Sequence, residues 1–209
     1  MAIAKDFFEV FTKHISEVYP ETKDLKILEL GDQIFSPKNG KDYLAEGYKT
    51  GKDYFTKFYG MDHTSVDLNG LHGSLVKDLR KEEDFAEYKN HFDILTNFGT
   101  VEHVDPTPTQ WTAWKIVHEC LKPGGLYLHI APSYNHQTNK INPTWLRHCN
   151  NYYCEEFFYN LAEKQNYEML HYSRIRDLNV CVMIKKEDNE FTIESDDLLT
   201  YIYSKTSNK

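Results

Sequence analysis

Apolar positions recur along this chain in two rhythms, one of three to four residues and one of two. Ala4, Phe7, Phe8, Phe11, Ile15 and Val18 keep the helical spacing and predict an amphipathic opening helix that stops before Pro20. Lys26-Ile27-Leu28-Glu29-Leu30-Gly31 reads as a short apolar strand closed by an acid and a glycine. Further strands are predicted at His63–Leu68, at a short segment Ser74–Leu79, at Phe92–Asn97 and at Leu126–Ala131. Lys81–Asn90 is charged and reads as a helix edge or loop. Thr109–Leu121 places Trp114, Val117 and Leu121 on one helical face and stops at Lys122-Pro123-Gly124-Gly125. A later helix, Tyr152–Lys164, has Phe157, Phe158, Leu161 and Ala162 as its apolar stripe. Two closing strands, about Tyr167–Ile175 and Val180–Ile184, are joined by a tight turn at Asp177-Leu178-Asn179. Strands that alternate with helices imply a mostly parallel sheet covered on both faces, and the closing pair implies one antiparallel strand.

Two stretches break the rhythm. Ser36–Gly60 is polar and carries four glycines, yet it holds Tyr43, Tyr48, Tyr54, Phe55, Phe58 and Tyr59. Six rings are too many for a solvated tether, so a partly helical insertion is expected at about residues 36–60, able to close over a site as a lid or to pack on the sheet. The tail at residues 187–209 mixes acids with Phe191, Ile193, Leu198, Leu199, Tyr201 and Ile202, and is expected either to pack as a terminal helix or to serve a partner. The rest, residues 1–186, is expected to form one domain.

Charge and cysteine usage narrow the class. The net charge is -8 with no cluster of Lys or Arg, which disfavours a nucleic-acid backbone as partner. No apolar run approaches the ~20 residues that cross a bilayer, and Met1 to Asp6 lacks the apolar core of a signal peptide. Cys120, Cys149, Cys154 and Cys181 form no Cys-x-x-Cys pair, so reduced, partly buried thiols in a cytoplasmic protein are expected, and no zinc site. His103, His129, His136 and His148 could gather at one sheet edge, but no spacing supports a metal, and none is expected. A homo-oligomer stays open.

The candidate chemistry sits at the strand ends. In an open parallel sheet the ligand lies beyond the carboxyl ends of the strands, where strand order reverses. The first strand ends at Glu29-Leu30-Gly31, where glycine permits a tight turn. The second ends at Asp67, where a carboxylate can accept both hydroxyls of a ribose. The third ends at Asp78, placed to accept from an exocyclic amine, with a helix cap as the plainer alternative. The fourth ends at Asn97-Phe98-Gly99-Thr100, and the fifth follows a Pro-Gly-Gly turn. His103 is the candidate general base, or else a loop histidine that orders the Glu102 carboxylate or contacts a cofactor. A nicotinamide site would need Gly-x-Gly-x-x-Gly after the first strand, and that pattern is absent.

Taken in order, Ile27–Gly31, Ser65–Leu68, Phe92–His103 and Leu121–Gly125 resemble a class I S-adenosylmethionine-dependent methyltransferase over about Leu25 to Lys186. The resemblance implies an α/β, Rossmann-like three-layer sandwich with a seven-stranded, mostly parallel sheet whose last strand is antiparallel. It implies S-adenosyl-L-methionine as cofactor. Glu29 and Gly31 would lie by its methionine part, Asp67 and Leu68 by its ribose and adenine, Asp78 and Leu79 by the adenine edge, and Asn97, Phe98 and Gly99 by the methyl donor. Segment Ser133–Asn151 would supply acceptor contacts from Tyr134, His136, Trp145 and His148, suited to a small polar molecule methylated at oxygen or nitrogen. One departure stands out. Gly31-Asp32-Gln33-Ile34-Phe35 keeps a single glycine where the family is glycine-rich. The alternative is therefore a catalytically degenerate binding protein that keeps the fold and acts through a partner.

Overall fold

In the central strands both faces are apolar, so the sheet must be covered on both sides. In the computed structural model, which describes residues 5–34 and 48–204, strand β1 (Lys26–Leu30) turns Ile27 to one face and Leu28 and Leu30 to the other. Strand β5 (Leu121–Pro132) does the same with Leu126, Leu128 and Ile130 against Tyr127 and Ala131. The first face is covered by α1 (Lys5–Val18), through Phe7, Phe8, Phe11 and Ile15, and by α2 (Gly51–Tyr59), through Tyr54 and Phe55. The second is covered by α3 (Gln110–Cys120) and α4 (Glu155–Lys164), whose Trp114, Val117, Phe157, Phe158 and Leu161 fill the larger core.

The remaining strands of the sheet are β2 (Asp62–Asp67), β3 (Leu75–Val76), β4 (Phe92–Phe98), β6 (Tyr167–Ile175) and β7 (Leu178–Lys185). Their order is β3-β2-β1-β4-β5-β7-β6. The pairs from β3 to β5 are parallel, and β7 runs antiparallel to both of its neighbours. The chain is thus the three-layer α/β sandwich with a seven-stranded sheet that the alternation of elements predicts.

Several boundaries differ, each for a local reason. The closing hairpin turns at Arg176 and Asp177, not at Asp177-Leu178-Asn179: both residues take positive φ, 54° and 57°, as a two-residue hairpin loop requires. Leu178 and Asn179 thereby join β7. Tyr152 opens no helix. Asn151–Tyr153 is a short strand paired with Ile202–Ser204, and α4 starts after it at Glu155. The third predicted strand shrinks to Leu75–Val76, and Glu82–Tyr88 forms 3-10 turns.

The tail belongs to this same core. Phe191, Ile193, Leu198 and Ile202 are buried, the Trp111 indole donates to the Ile193 carbonyl at 2.7 Å, and a five-residue helix α5 (Ser195–Leu199) leads into the strand at Ile202–Ser204. Residues 36–47 of the expected insertion, with Tyr43, lie outside the described residues, as do 205–209. Within the described part, α2 is capped by the Thr50 hydroxyl, which accepts from the Asp53 amide, and ends at Gly60 with φ 69°. Tyr54 and Phe55 are buried against the sheet, with Tyr54 meeting Phe8 edge-on at 4.7 Å. These two rings pack the insertion down rather than covering a site. All four cysteines are buried and outside any disulfide, and among the described residues no helix is long and apolar enough to cross a membrane.

Candidate functional site

Strand order reverses between β1 and β4, so their carboxyl ends splay and open a cleft. A cavity of about 470 Å³ lies on the β2 side of this point, lined among others by Asp67, Leu68, Asp78, Leu79, Gly99, Thr100 and His103. That volume falls in the usual range of small-molecule sites, roughly 300–1,000 Å³.

Asp67 ends β2 and stands at the cavity wall. One of its oxygens accepts from the Asn69 amide at 2.9 Å, the other from the Asp32 amide at 3.2 Å. A carboxylate offers about four lone-pair directions, so each oxygen keeps one for a ligand. Asp32 also pairs with His72, which ties the loop after β1 to the loop after β2 across the top of Asp67. Asp78 is differently placed. Arg80 grips its carboxylate with Nε at 2.9 and 3.0 Å and Nη2 at 2.6 Å, and this guanidinium holds the Asp78 carboxyl below the usual range. The acid expected to receive an exocyclic amine already has a cation on it.

The end of β1 serves the loops. Gly31 has φ 85°, and a Cβ there would overlap Thr100 Oγ1, which itself donates to the Leu30 carbonyl at 2.9 Å. Its closest described neighbour is therefore a β4 loop side chain. Glu29 shares the α2 side of the sheet with Ile27 and is buried away from the cavity. It accepts from the Gln33 amide at 3.0 Å, lies 3.4 Å from His63 Nε2, and sits so close to Gly51 that no Cβ fits there. It anchors the first loop and the start of α2.

Beyond β4, Asn97 and Phe98 are also buried rather than lining. The Asn97 carboxamide oxygen accepts from the Thr100 and Val101 amides at 3.1 and 2.9 Å, which closes the turn, and Phe98 stacks on Phe11 at 5.0 Å. Gly99, with φ 89°, reaches the cavity. His103 borders it half-exposed, and its ring meets the ring of His148 at 5.0 Å; Trp145 meets His148 at 5.2 Å. Tyr134 and His136 stand elsewhere, at a separate hollow with Arg174 and Glu155. Of the four acceptor-side candidates, the fold gathers Trp145 and His148 around His103 and leaves Tyr134 and His136 apart. Of the four histidines considered for a metal, it brings together His103 and His148; His129 lies in the core, where burial drives its ring down to about 3.

Three residues of the site carry no sequence expectation, and a fourth, Glu102, enters there only as the carboxylate that His103 would order. Arg80 follows Asp78 by two residues, a spacing that allows a bidentate pair. Thr100 matters only through its contact with Gly31. Asp105 lines the cavity with one buried oxygen that lacks a partner. Glu102 is fully buried, and burial pushes its carboxyl up to about 8.

The donor set fits an adenosyl group at one end. Asp67 has lone pairs to spare at the cavity wall, and Leu68 and Leu79 give apolar flanks for a purine. It fits less well at Asp78, which must first lose Arg80. The sequence model of the methyltransferase domain family matches residues 26–172. No curated protein matches the chain in sequence. Among solved structures, the Burkholderia thailandensis 1,6-didemethyltoxoflavin-N1-methyltransferase, bound to its substrate and S-adenosylhomocysteine, is similar with a TM-score of 0.55 at 12% identity, over 88% of this chain and 80% of that one. The [4+2]-cyclase SpnF gives 0.56 at 12% identity, over 85% and 80%. The Haemonchus contortus phosphoethanolamine N-methyltransferase 2, in complex with S-adenosyl-L-methionine, gives 0.53 at 14% identity, over 86% of this chain and 53% of that one. At these identities the likeness is one of fold.

Proposed function

The chain belongs to the class I S-adenosylmethionine-dependent methyltransferase family, and from that premise we propose that it binds S-adenosyl-L-methionine beside Asp67 and methylates an oxygen or nitrogen of a small molecule. The observation that carries the proposal is Asp67, a carboxylate with free lone pairs at the end of β2, on the wall of a cavity at the point where strand order reverses. The cofactor supplies an electrophilic methyl group on a sulfonium.

The chain binds, orients and excludes water, which is most of what methyl transfer asks of a protein. Asp67 accepts from the ribose hydroxyls, and Leu68 and Leu79 flank the purine. Gly99 leaves room at the methyl-donor side. His103 borders the same cavity from the acceptor end and takes the proton that the acceptor loses. His148 and Trp145 form the wall next to it. Tyr134 and His136 line a separate hollow and enter only for an acceptor long enough to reach it. The four thiols, outside any disulfide, suit a cytoplasmic setting.

Calorimetry with S-adenosylmethionine and S-adenosylhomocysteine tests the core of this reading. Binding by the wild type and at least tenfold weaker binding by Asp67→Ala are expected. No binding, or equal binding by the variant, removes the assignment.

Two observations favour a second reading, a degenerate binding protein. Arg80 occupies Asp78, and the first loop has side chains in place of glycines. Tight cofactor binding with no S-adenosylhomocysteine formed across a broad acceptor panel would select it.

A further inference from the structure

At the acceptor end of the cleft lies a group that proton transfer by His103 does not use. Glu102 sits on the 3-10 turn Val101–His103 and is fully buried, yet neither of its carboxylate oxygens makes a hydrogen bond. Its backbone is pinned, since the Asn151 amide donates to the Glu102 carbonyl at 3.1 Å and Asn97 holds the turn before it. Buried polar atoms without partners are rare and call for an unseen water, ion or role. Glu102 Oε1 lies 4.0 Å from His103 Nε2, and one ligand atom from each of Glu102, His103 and His148 lies within 4.8 Å of the others.

We propose that Glu102, His103 and His148 form a site for one divalent transition-metal ion, with its open face toward the cofactor cavity. Two imidazoles and one carboxylate suit Zn²⁺, Mn²⁺, Fe²⁺ or Co²⁺, whereas Ca²⁺ and Mg²⁺ prefer oxygen ligands throughout. Three protein ligands leave a position for water or an acceptor oxygen, the arrangement of catalytic rather than structural sites. Metal–ligand bonds of about 2.0–2.2 Å require the three atoms to draw in by on the order of 1 Å. That movement falls on the two exposed residues, His103, 43% exposed at its side chain, and His148, rather than on the buried Glu102. The other trio at metal spacing, His136, Cys154 and Glu156, has no orphaned buried carboxylate.

The inference rests on the reading of His103 as the group that faces the acceptor, and it changes its task. Instead of taking the proton, His103 holds a cation that makes an acceptor hydroxyl more acidic, so that its proton passes to solvent water as the oxygen takes the methyl group.

Wild type and His148→Ala, each dialysed against a chelator, are titrated with cobalt(II) chloride while visible absorption is read, and with zinc(II) chloride by calorimetry. One ion per chain is expected in the wild type, with ligand-field bands on cobalt loading. His148→Ala should bind at least tenfold more weakly with its circular dichroism unchanged, and Glu102→Gln should do the same if it folds. Wild type that takes up neither ion, or His148→Ala that binds as the wild type does, overturns the site. The two readings fail separately. If His103→Ala abolishes S-adenosylhomocysteine formation while chelation leaves wild-type turnover intact, the base stands and the metal falls.

Discussion

Replacing Gly31 by alanine separates two reasons for a glycine at the end of β1. At φ 85° an L residue loses roughly 1–2 kcal/mol to backbone strain alone. The new Cβ would also overlap Thr100 Oγ1 and stand 3.1 Å from Gln33 Nε2. The Thr100 hydroxyl cannot turn away freely, because it donates to the Leu30 carbonyl at 2.9 Å. Relief therefore sacrifices a hydrogen bond, about 1 kcal/mol, and adds overpacking of about 1–3 kcal/mol. Gly31→Ala should lose about 3–6 kcal/mol in all, the sum of these parts. In Gly31→Ala/Thr100→Ala the oxygen is gone and the nearest atom left on that side chain is Cβ at 3.4 Å, an ordinary contact. The double variant should thus recover the steric share and lose the Thr100 hydrogen bond only once, with a coupling of about 2–4 kcal/mol between the positions. Equilibrium urea unfolding of the wild type, both single variants and the double variant measures that coupling directly. Additive losses would refute the claim that Thr100 makes residue 31 a glycine. A stable Gly31→Ala with weakened cofactor binding would assign the glycine to the ligand instead.

Acid should loosen the fold through two core histidines. Burial holds His129 at about 3 and His118 at about 4, against an ordinary 6.5. Below pH 6.5 the unfolded chain takes protons that the folded chain refuses, so stability is full above that pH and falls toward pH 4, by up to about 1.4 kcal/mol per unit for each histidine. Urea midpoints that stay level from pH 7 to pH 5 would rule this out. Arg80→Ala should free Asp78 and tighten S-adenosylhomocysteine binding several-fold by calorimetry; weaker or equal binding would mean that Asp78 does not meet the adenine. Deleting residues 193–209 removes the buried Ile193, Leu198 and Ile202. At about 1.5–3 kcal/mol each, that loss approaches the whole stability of a typical domain, so near-ultraviolet circular dichroism should collapse, and a cooperative truncated protein would count against it. Adenosine should bind within about tenfold of S-adenosylhomocysteine, by competitive calorimetry, whereas a gap of a thousandfold would show that the first loop grips the amino-acid end.

Period and punctuation made most of the sheet legible. The apolar runs at Ile27, Ile94 and Leu126 could only be buried strands, and Asp67 ends β2 by position alone. What stayed hidden was the face each polar side chain takes. Glu29 shares its face with Ile27, so once α2 covers that face the acid must lie beneath it; nothing local says that Gly51 will be its neighbour. The family resemblance implies a lining role for Asn97, but a short carboxamide at a strand end bonds the amides of the next turn first. The strand at Asn151–Tyr153 exists only because Ile202–Ser204 lies beside it, a contact about fifty residues distant that no window across Tyr152 contains. Apolar residues in the tail pointed equally to a partner or to the core, and only the space over Trp111 decides between them.

The two ends of the cleft are built on opposite principles, and this bears on how binding energy is divided. At the first loop, side chains replace the missing glycines. Glu29 takes the Gln33 amide, Asp67 takes the Asp32 amide, and Asp32 reaches His72. Such a loop is stiff without a glycine run, but these two amides now serve the protein and cannot also reach a ligand's carboxylate. Among the described residues that line the cavity, Asp67 and Asp105 have carboxylate oxygens with capacity to spare, and Leu68 and Leu79 give apolar flanks. Binding should therefore depend on the adenosyl half, and a poor glycine motif is no argument against it. At the far end the economy reverses. Asn97, Asn151 and Gln110 bond the backbone of the turn that carries Glu102, yet its buried carboxylate is left without a hydrogen bond. A fold that takes such care over the surroundings of one carboxylate has kept it in place for something that arrives from the open side, where His103 and His148 stand.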